Sequence, residues 1–190
     1  MIAFEERIAS LKKAGKKTGH DAFLVTSEKN MRYFAGFSTS SADRFAGIIV
    51  PVETGVPTVI VPKLEETKAK KSPLKEIRTY SDSQSPAPLL NKAIRDLRLQ
   101  KASLGIEGTL PFKFYQMLSA ASPKTTMEDA SNLFSQLRCV KSEQELRMIE
   151  KAASIVAEGI KAGTALRVPP VEYALSPRKN GCRTIISHDL

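Results

Sequence analysis

The chain has 190 residues, 42% hydrophobic and 26% charged, with 10 glycines, 11 prolines and no tryptophan. This excludes collagen-like, low-complexity and disordered classes and leaves enough apolar side chains for a real core. The formal net charge of +9, from 29 Lys and Arg against 20 Asp and Glu, raises nucleic acid as a partner class. No run approaches the roughly 20 apolar residues of a membrane-spanning helix. Residues 1–17 alternate charged and apolar side chains, which is no signal peptide, so a cytoplasmic chain without a membrane partner is expected.

The first segment reads as a helix. Phe4, Ile8, Leu11 and Gly15 recur at three- and four-residue steps, the spacing of one helix face. Gly15 is its weak point, because a glycine inside a helix is less stable than alanine by about 1 kcal/mol. Ala22 to Thr26 is a short apolar strand. Ser27 then caps a helix running to Phe34, and Gly36 stops it. Phe45–Val52 and Val56–Val61 read as a hairpin around Glu53-Thr54-Gly55. A short polar helix follows at 63–71 and a brief strand at 77–80. Ser85 and Pro86 suit the cap and first position of a helix whose inner face is Leu89, Leu90, Ala93, Ile94 and Leu97. A strand at 103–107, a helix opened by Pro111, a strand at 125–128 and a helix at 130–137 complete the alternation.

The clearest helix starts at Ser142. Ser142-Glu143-Gln144-Glu145 is a capping box, in which hydroxyl and carboxylate each accept from a free backbone N–H of the first turn. Leu146, Ile149, Ala153, Val156 and Ile160 line one face, and Gly163 is expected to close it. From Thr164 on, prolines interrupt any period and an irregular tail is expected. The pattern predicts an α/β fold, a three-layer domain with a mixed sheet over residues 1–137, then a helix at 138–163 and the tail at 164–190.

Chemistry-bearing clusters are sparse. His20 and His188 offer no metal or Ser-His-Asp arrangement, and solvent is the expected environment of His20. Cys139 and Cys182 read as reduced, packed thiols. Gly105-Ile106-Glu107-Gly108 lacks the ending of a phosphate loop and reads as a strand entering a turn. Lys12, Lys13, Lys16 and Lys17 form one basic patch, and Lys68, Lys70 and Lys71 a second. Neither is interleaved with stacking aromatics, and acids lie close to both, which argues against nucleic acid as the partner.

Two segments resemble a known family. Asn30-Met31-Arg32-Tyr33-Phe34-Ala35-Gly36-Phe37, followed by Ser41-Ala42-Asp43-Arg44, is one; Leu137-Arg138-Cys139-Val140-Lys141-Ser142-Glu143-Gln144-Glu145-Leu146, running on to Ala153, is the other. Together with Glu6-Arg7-Ile8 and the 103–107 strand, they are similar to the amino-terminal half of the proline-specific metallopeptidases: prolidase, Xaa-Pro aminopeptidase and creatinase. The resemblance implies a creatinase amino-terminal, ribonuclease H-like fold that pairs subunits into a homodimer and leans over the partner's active-site mouth. Phe37, Ser40, Asp43 and Arg44 are the candidates for shaping that entrance; Asp43 with Arg44 reads equally as an ion pair within a surface loop. Tyr33 and Phe34 read as core.

The resemblance further implies hydrolysis of proline-containing peptides by a carboxy-terminal domain holding two divalent metal ions (Mn, Co or Zn). No metal or catalytic residue of that set maps onto this sequence, so this chain by itself is expected to be inactive, with no cofactor of its own. A chain cut short, by fragmentation or a frameshift, is the expected origin. Leu146, Ile149, Val156 and Ile160 then become interface candidates. The alternatives are a stand-alone interaction module without catalysis and a basic nucleic-acid-binding module.

Overall fold

The computed structural model describes residues 4–39, 43–165, 174–177 and 183–186. Two compact units divide the chain, Met1–Lys141 and Ser142–Leu190.

The first unit is built on six strands: β1 (Ala22–Val25), β2 (Gly47–Pro51), β3 (Thr58–Pro62), β4 (Glu76–Tyr80), β5 (Ser103–Ile106) and β6 (Thr126–Asp129). Their order across the sheet is β4-β3-β2-β1-β5-β6. The β1–β2 and β2–β3 pairs are antiparallel, whereas β3–β4, β1–β5 and β5–β6 are parallel. The sheet is therefore mixed. The hairpin predicted around Glu53-Thr54-Gly55 is β2–β3, and Gly55 takes the positive φ of 112° its turn requires.

Seven helices accompany the strands among the described residues: α1 (Phe4–Thr18), α2 (Glu28–Ala35), α3 (Glu66–Ala69), α4 (Ala87–Asp96), α5 (Phe112–Ala121), α6 (Ser131–Cys139) and α7 (Glu143–Ala165). The pleat of the sheet sorts its side chains into two cores. Phe23, Val25, Ile48, Val50, Val59 and Val61 face one way and meet Leu11 of α1, Met31 and Phe34 of α2, and Phe134 of α6. Ala22, Leu24, Ile49, Ile60 and Leu104 face the other and meet Leu90 and Ile94 of α4 and Leu118 of α5. Alternate residues of one strand thus serve opposite layers, and β1 to β3 are buried along their whole length. This is the expected three-layer α/β domain.

Gly15 has a packing reason absent from its local sequence. A Cβ there would stand 2.5 Å from Val52 Cγ2 and 2.7 Å from Phe23 Cε2. The helix lies directly on the sheet because that position carries no side chain. Gly36 ends α2 with φ 75°, its N–H donating to Arg32 O.

Several expectations are corrected. The α4 helix begins at Ala87, with Pro86 at the cap position rather than inside; Ser85 Oγ accepts the Ala87 N–H at 3.2 Å. His20 is not solvated: 9% of its side chain is exposed, its ring packs 5.1 Å from that of Phe23, and Nδ1 lies 2.7 Å from Thr18 Oγ1. Cys139 is exposed rather than packed; Cys182 and His188 lie outside the described residues.

In the second unit the capping box is present. Ser142 N–H donates to Glu145 Oε2 at 2.9 Å and Glu145 N–H to Ser142 Oγ at 3.3 Å. Gly163 does not close α7, which runs 23 residues to Ala165; helical hydrogen bonding tolerates glycine where only propensity opposes it. The tail holds two strands, β7 (Ala174–Pro177) and β8 (Arg183–Ile186), paired antiparallel. The expected irregular tail is corrected to that extent; residues 178–182 between the two strands lie outside the described residues.

Two outcomes test this packing. Gly15→Ala gains helix propensity yet destabilises the domain by about 1–3 kcal/mol, because Val52 and Phe23 must move; a urea midpoint equal to or above wild type would refute it. Glu66 accepts from Lys63 at 2.5 Å and Lys70 at 2.8 Å, which holds its carboxyl at about 2, below its ordinary 4.5. A depressed folded-state value stabilises above the unfolded value and is lost on acidification. The stability gap between wild type and Glu66→Gln is therefore full above about pH 4.5 and closes toward pH 2, read from urea midpoints across that range.

Candidate functional site

The carboxyl ends of the parallel strands β1 and β5 lie side by side, and the chain beyond them builds one site. Its floor at Thr26 and Ser27 is held from behind by a buried carboxylate. Glu107, 3% exposed, follows the last residue of β5 and reaches the turn between β1 and α2. Its Oε2 accepts the Thr26 N–H at 2.6 Å, the Thr26 hydroxyl at 2.7 Å and the Ser27 N–H at 2.6 Å. Its Oε1 accepts from the Ser27 hydroxyl and from Asn30 Nδ2. Five donors replace the water a carboxylate loses on burial. Two are backbone N–H groups at the start of α2, where the helix dipole also favours negative charge. Ser27 acts twice, donating to Glu107 and accepting the Asn30 N–H as the cap.

Above this floor is a cleft of about 300 Å³, with Ser27, Thr39, Arg44, Phe45, Thr109 and Phe114 among its lining. Phe45 is fixed from below: the Tyr80 hydroxyl donates to its carbonyl at 2.7 Å, and Phe114 meets its ring edge-on at 5.4 Å. Burial pushes the Tyr80 phenol up from its ordinary value. Glu28, Arg32 and Ser38 close one flank, with the Arg32 guanidinium donating to Glu28 at 2.9 Å and to Ser38 at 3.0 Å.

The four entrance candidates separate. Arg44 lines the cleft and is held by Asp82, with Nε to Oδ1 at 2.8 Å and Nη2 to Oδ2 at 3.0 Å. This fork-to-fork hydrogen bonding raises the guanidinium above its ordinary value. The pairing of Arg44 with Asp43 does not form. Asp43 is 97% exposed at its side chain, and Lys113 is its neighbour at 3.7 Å. Phe37, 8% exposed, packs in the core with Met31 and Phe34. Ser40 lies outside the described residues. Tyr33 and Phe34 are core and near-core: the Tyr33 hydroxyl donates to Leu137 O at 2.8 Å, and Arg7 covers its ring at 4.0 Å.

Sequence reading missed Asp82 and Glu107. Asp82 is 38 residues from Arg44 and carries no local signal. Glu107 did carry one, as a lone acid ending an apolar strand. The cleft offers hydroxyls, a guanidinium and aromatic walls, a recognition chemistry. Among the described residues no three His, Cys, Asp or Glu converge to hold a metal ion. Three of the seven lysines in the two patches pair with acids: Lys16 with Glu53, Lys68 with Glu65 and Lys70 with Glu66. On α7, Leu146, Ile149, Val156 and Ile160 are 48–62% exposed.

A mixed sheet with helices on both faces, its site at the carboxyl ends of the two central parallel strands, defines the class as a creatinase-type α/β domain. The Creatinase/Prolidase N-terminal domain family matches residues 7–140, more than half of the chain, and the chain belongs to that family. The Xaa-Pro dipeptidase of Pyrococcus horikoshii is 25% identical over 162 residues, 85% of this chain and 42% of that protein. Recombinant prolidase from Thermococcus sibiricus superposes with a TM-score of 0.76 at 25% identity, over 85% of this chain and 44% of that one. The Creatinase/Prolidase N-terminal domain of an X-Pro dipeptidase from Streptococcus pyogenes shares the fold at 15% identity and a TM-score of 0.62, over 69% of this chain and 98% of that one. The chain spans 42–46% of the length of the curated relatives it matches. Among the described residues no helix is long and apolar enough to cross a membrane.

The Glu107 hub is testable directly. Glu107→Ala leaves two backbone N–H groups and three side-chain donors without their acceptor and destabilises the domain by about 3 kcal/mol or more, with Glu107→Gln intermediate. Urea unfolding followed by circular dichroism reads it; a loss under about 0.5 kcal/mol contradicts the role.

Proposed function

We propose that this chain is the non-catalytic amino-terminal domain of an Xaa-Pro dipeptidase or aminopeptidase, serving dimerisation and the shaping of the substrate entrance in the cytoplasm. Hydrolysis of the bond before proline, by two divalent metal ions that activate a water, belongs to a carboxy-terminal domain in this reading. The supporting observation is the family match over residues 7–140 in a chain about half as long as its relatives. The P. horikoshii and T. sibiricus proteins, by name an Xaa-Pro dipeptidase and a prolidase, supply the substrate class.

Within this reading Arg44 meets the peptide. Asp82 presents its guanidinium at the cleft, and the pair is about half exposed. A substrate carboxylate can therefore compete for the outer N–H groups with little desolvation. Asp43, 97% exposed at its side chain and only 3.7 Å from Lys113, can exchange that exposed pair for a peptide amino group. Phe37 contributes by anchoring that loop in the core. The apolar stripe of α7 supplies the contact to the catalytic domain or to a second copy.

Two measurements test this. The chain alone, supplied with manganese or cobalt, gives no turnover of Gly-Pro; robust hydrolysis overturns the assignment of catalysis elsewhere. A chimera joining residues 1–141 to the carboxy-terminal half of the T. sibiricus prolidase hydrolyses Gly-Pro as a dimer. In it Arg44→Ala raises KM roughly fivefold to tenfold with kcat nearly unchanged. An unchanged KM removes Arg44 from the entrance.

A further inference from the structure

The end of the sheet opposite the cleft carries a third basic patch. Lys92 and Arg95 of α4 line a groove of about 610 Å³ with Asn91, the carboxylate of Asp96 and, from α5, Ala121. Arg98 and Lys101 follow in the turn leading to β5, tightened by Arg98 N–H to Arg95 O and Ala102 N–H to Leu99 O. Lys124 joins them from the turn between α5 and β6. Thr125 Oγ1 donates to Leu99 O at 3.1 Å and Thr126 N–H to Ala102 O at 3.0 Å, so the two turns lie against each other. All five cations are exposed.

None of these five has an ion pair with a carboxylate among the described residues, whereas Lys16, Lys68 and Lys70 each have one. The acids at this end are already engaged. Asp96 accepts from Arg78 at 2.6 Å, Asp21 from the Ser103 N–H at 2.7 Å, and Glu128 from the Ser103 hydroxyl at 3.0 Å.

Arg98 adds an independent observation. Its φ is 58°, the one positive value at a non-glycine among the described residues. This position just past a helix end ordinarily takes glycine. A cation at the carboxyl end of α4 suits the helix dipole, but Arg95 already provides it. Here an arginine occupies a backbone conformation that ordinarily takes glycine, in the turn that also carries Lys101.

The geometry points to a binding site for closely spaced phosphates, in which Lys92 and Arg95 at the groove and Arg98, Lys101 and Lys124 of the adjoining turns grip a phosphate chain. Two guanidinium forks and three ammonium groups match phosphate oxygens. The patch lacks aromatic platforms, so it contacts the phosphate chain and not the bases. The chain comes either from free polyphosphate or from a nucleic-acid backbone. Neither depends on the peptidase reading, because the turns carrying Arg98, Lys101 and Lys124 lead into the amino ends of β5 and β6, whereas the cleft lies beyond the carboxyl end of β5.

Titration of the whole chain with tripolyphosphate, and with a short DNA duplex, at about 50 and 200 mM salt decides it. Binding is expected, with the slope of log K against log salt falling by about one for each cation removed. Arg95→Ala with Lys101→Ala weakens it roughly tenfold or more, while Lys12→Ala with Lys16→Ala leaves it unchanged. Arg98→Gly weakens binding yet unfolds at no lower a temperature than wild type, a combination a purely structural arginine would not give. Tighter, more salt-dependent binding of the duplex assigns the nucleic-acid backbone; tripolyphosphate binding as tightly as the duplex assigns free polyphosphate. No binding of either, equal loss from the α1 lysine variant, or polyglutamate binding as tightly as tripolyphosphate overturns the site.

Discussion

The Glu107 carboxylate is the constraint on which the site rests. A buried anion is tolerated only where donors converge on it, and the turn after β1 meets that demand by beginning a helix. Thr26 and Ser27 turn their N–H groups inward because α2 starts there, and α2 starts there because Ser27 caps it. The parallel pairing of β1 with β5, Ala22 opposite Leu104 and Phe23 opposite Gly105, delivers Glu107 to that turn. One carboxylate thereby ties together strand register, helix start and the floor of the cleft. The loop carrying Asp43 and Arg44 leaves from the other end of the same helix, at Gly36.

The β1–β5 junction is tight as well as polar. Phe23 projects between helix and sheet, and both neighbours yield to its ring. A side chain at Gly15 would stand 2.7 Å from Phe23 Cε2, and one at Gly105 would stand 2.6 Å from Cδ1. Both glycines are explained by the same aromatic ring. Neither needs an unusual backbone angle; what each requires is the absence of a Cβ.

Charge divides into a local and a nonlocal part. The lysines around α3 pair three and four residues away, with Glu65 and Glu66, as helix geometry permits. Exposed pairs of this kind contribute little to stability individually; their consequence is a partly offset positive charge there. At the α4–α5 end the cations come from three segments, and their acids are spent on other partners. The net charge of +9 is therefore unevenly distributed, and counting charges along the chain does not reveal where it accumulates.

The sequence by itself determined the layers and most element positions. The apolar runs of β2 and β3 around Glu53-Thr54-Gly55, the capping residue Ser27, the stop at Gly36 and the Ser142–Glu145 box are short-range chemistry, and these four features form where their residues imply. The motifs around Tyr33 and Arg138 were enough to point to the family. Tertiary structure decided everything that depends on residues far apart: Arg44 held by Asp82 instead of Asp43, Phe37 turned into the core, His20 buried against Phe23, Glu107 as a hub, and five cations drawn to one end. The division is physical. Propensity, capping and periodicity act within a few residues, so the order along the chain encodes them. Partner choice among charges and the sharing of space around an aromatic ring exist only after strands some eighty residues apart have paired.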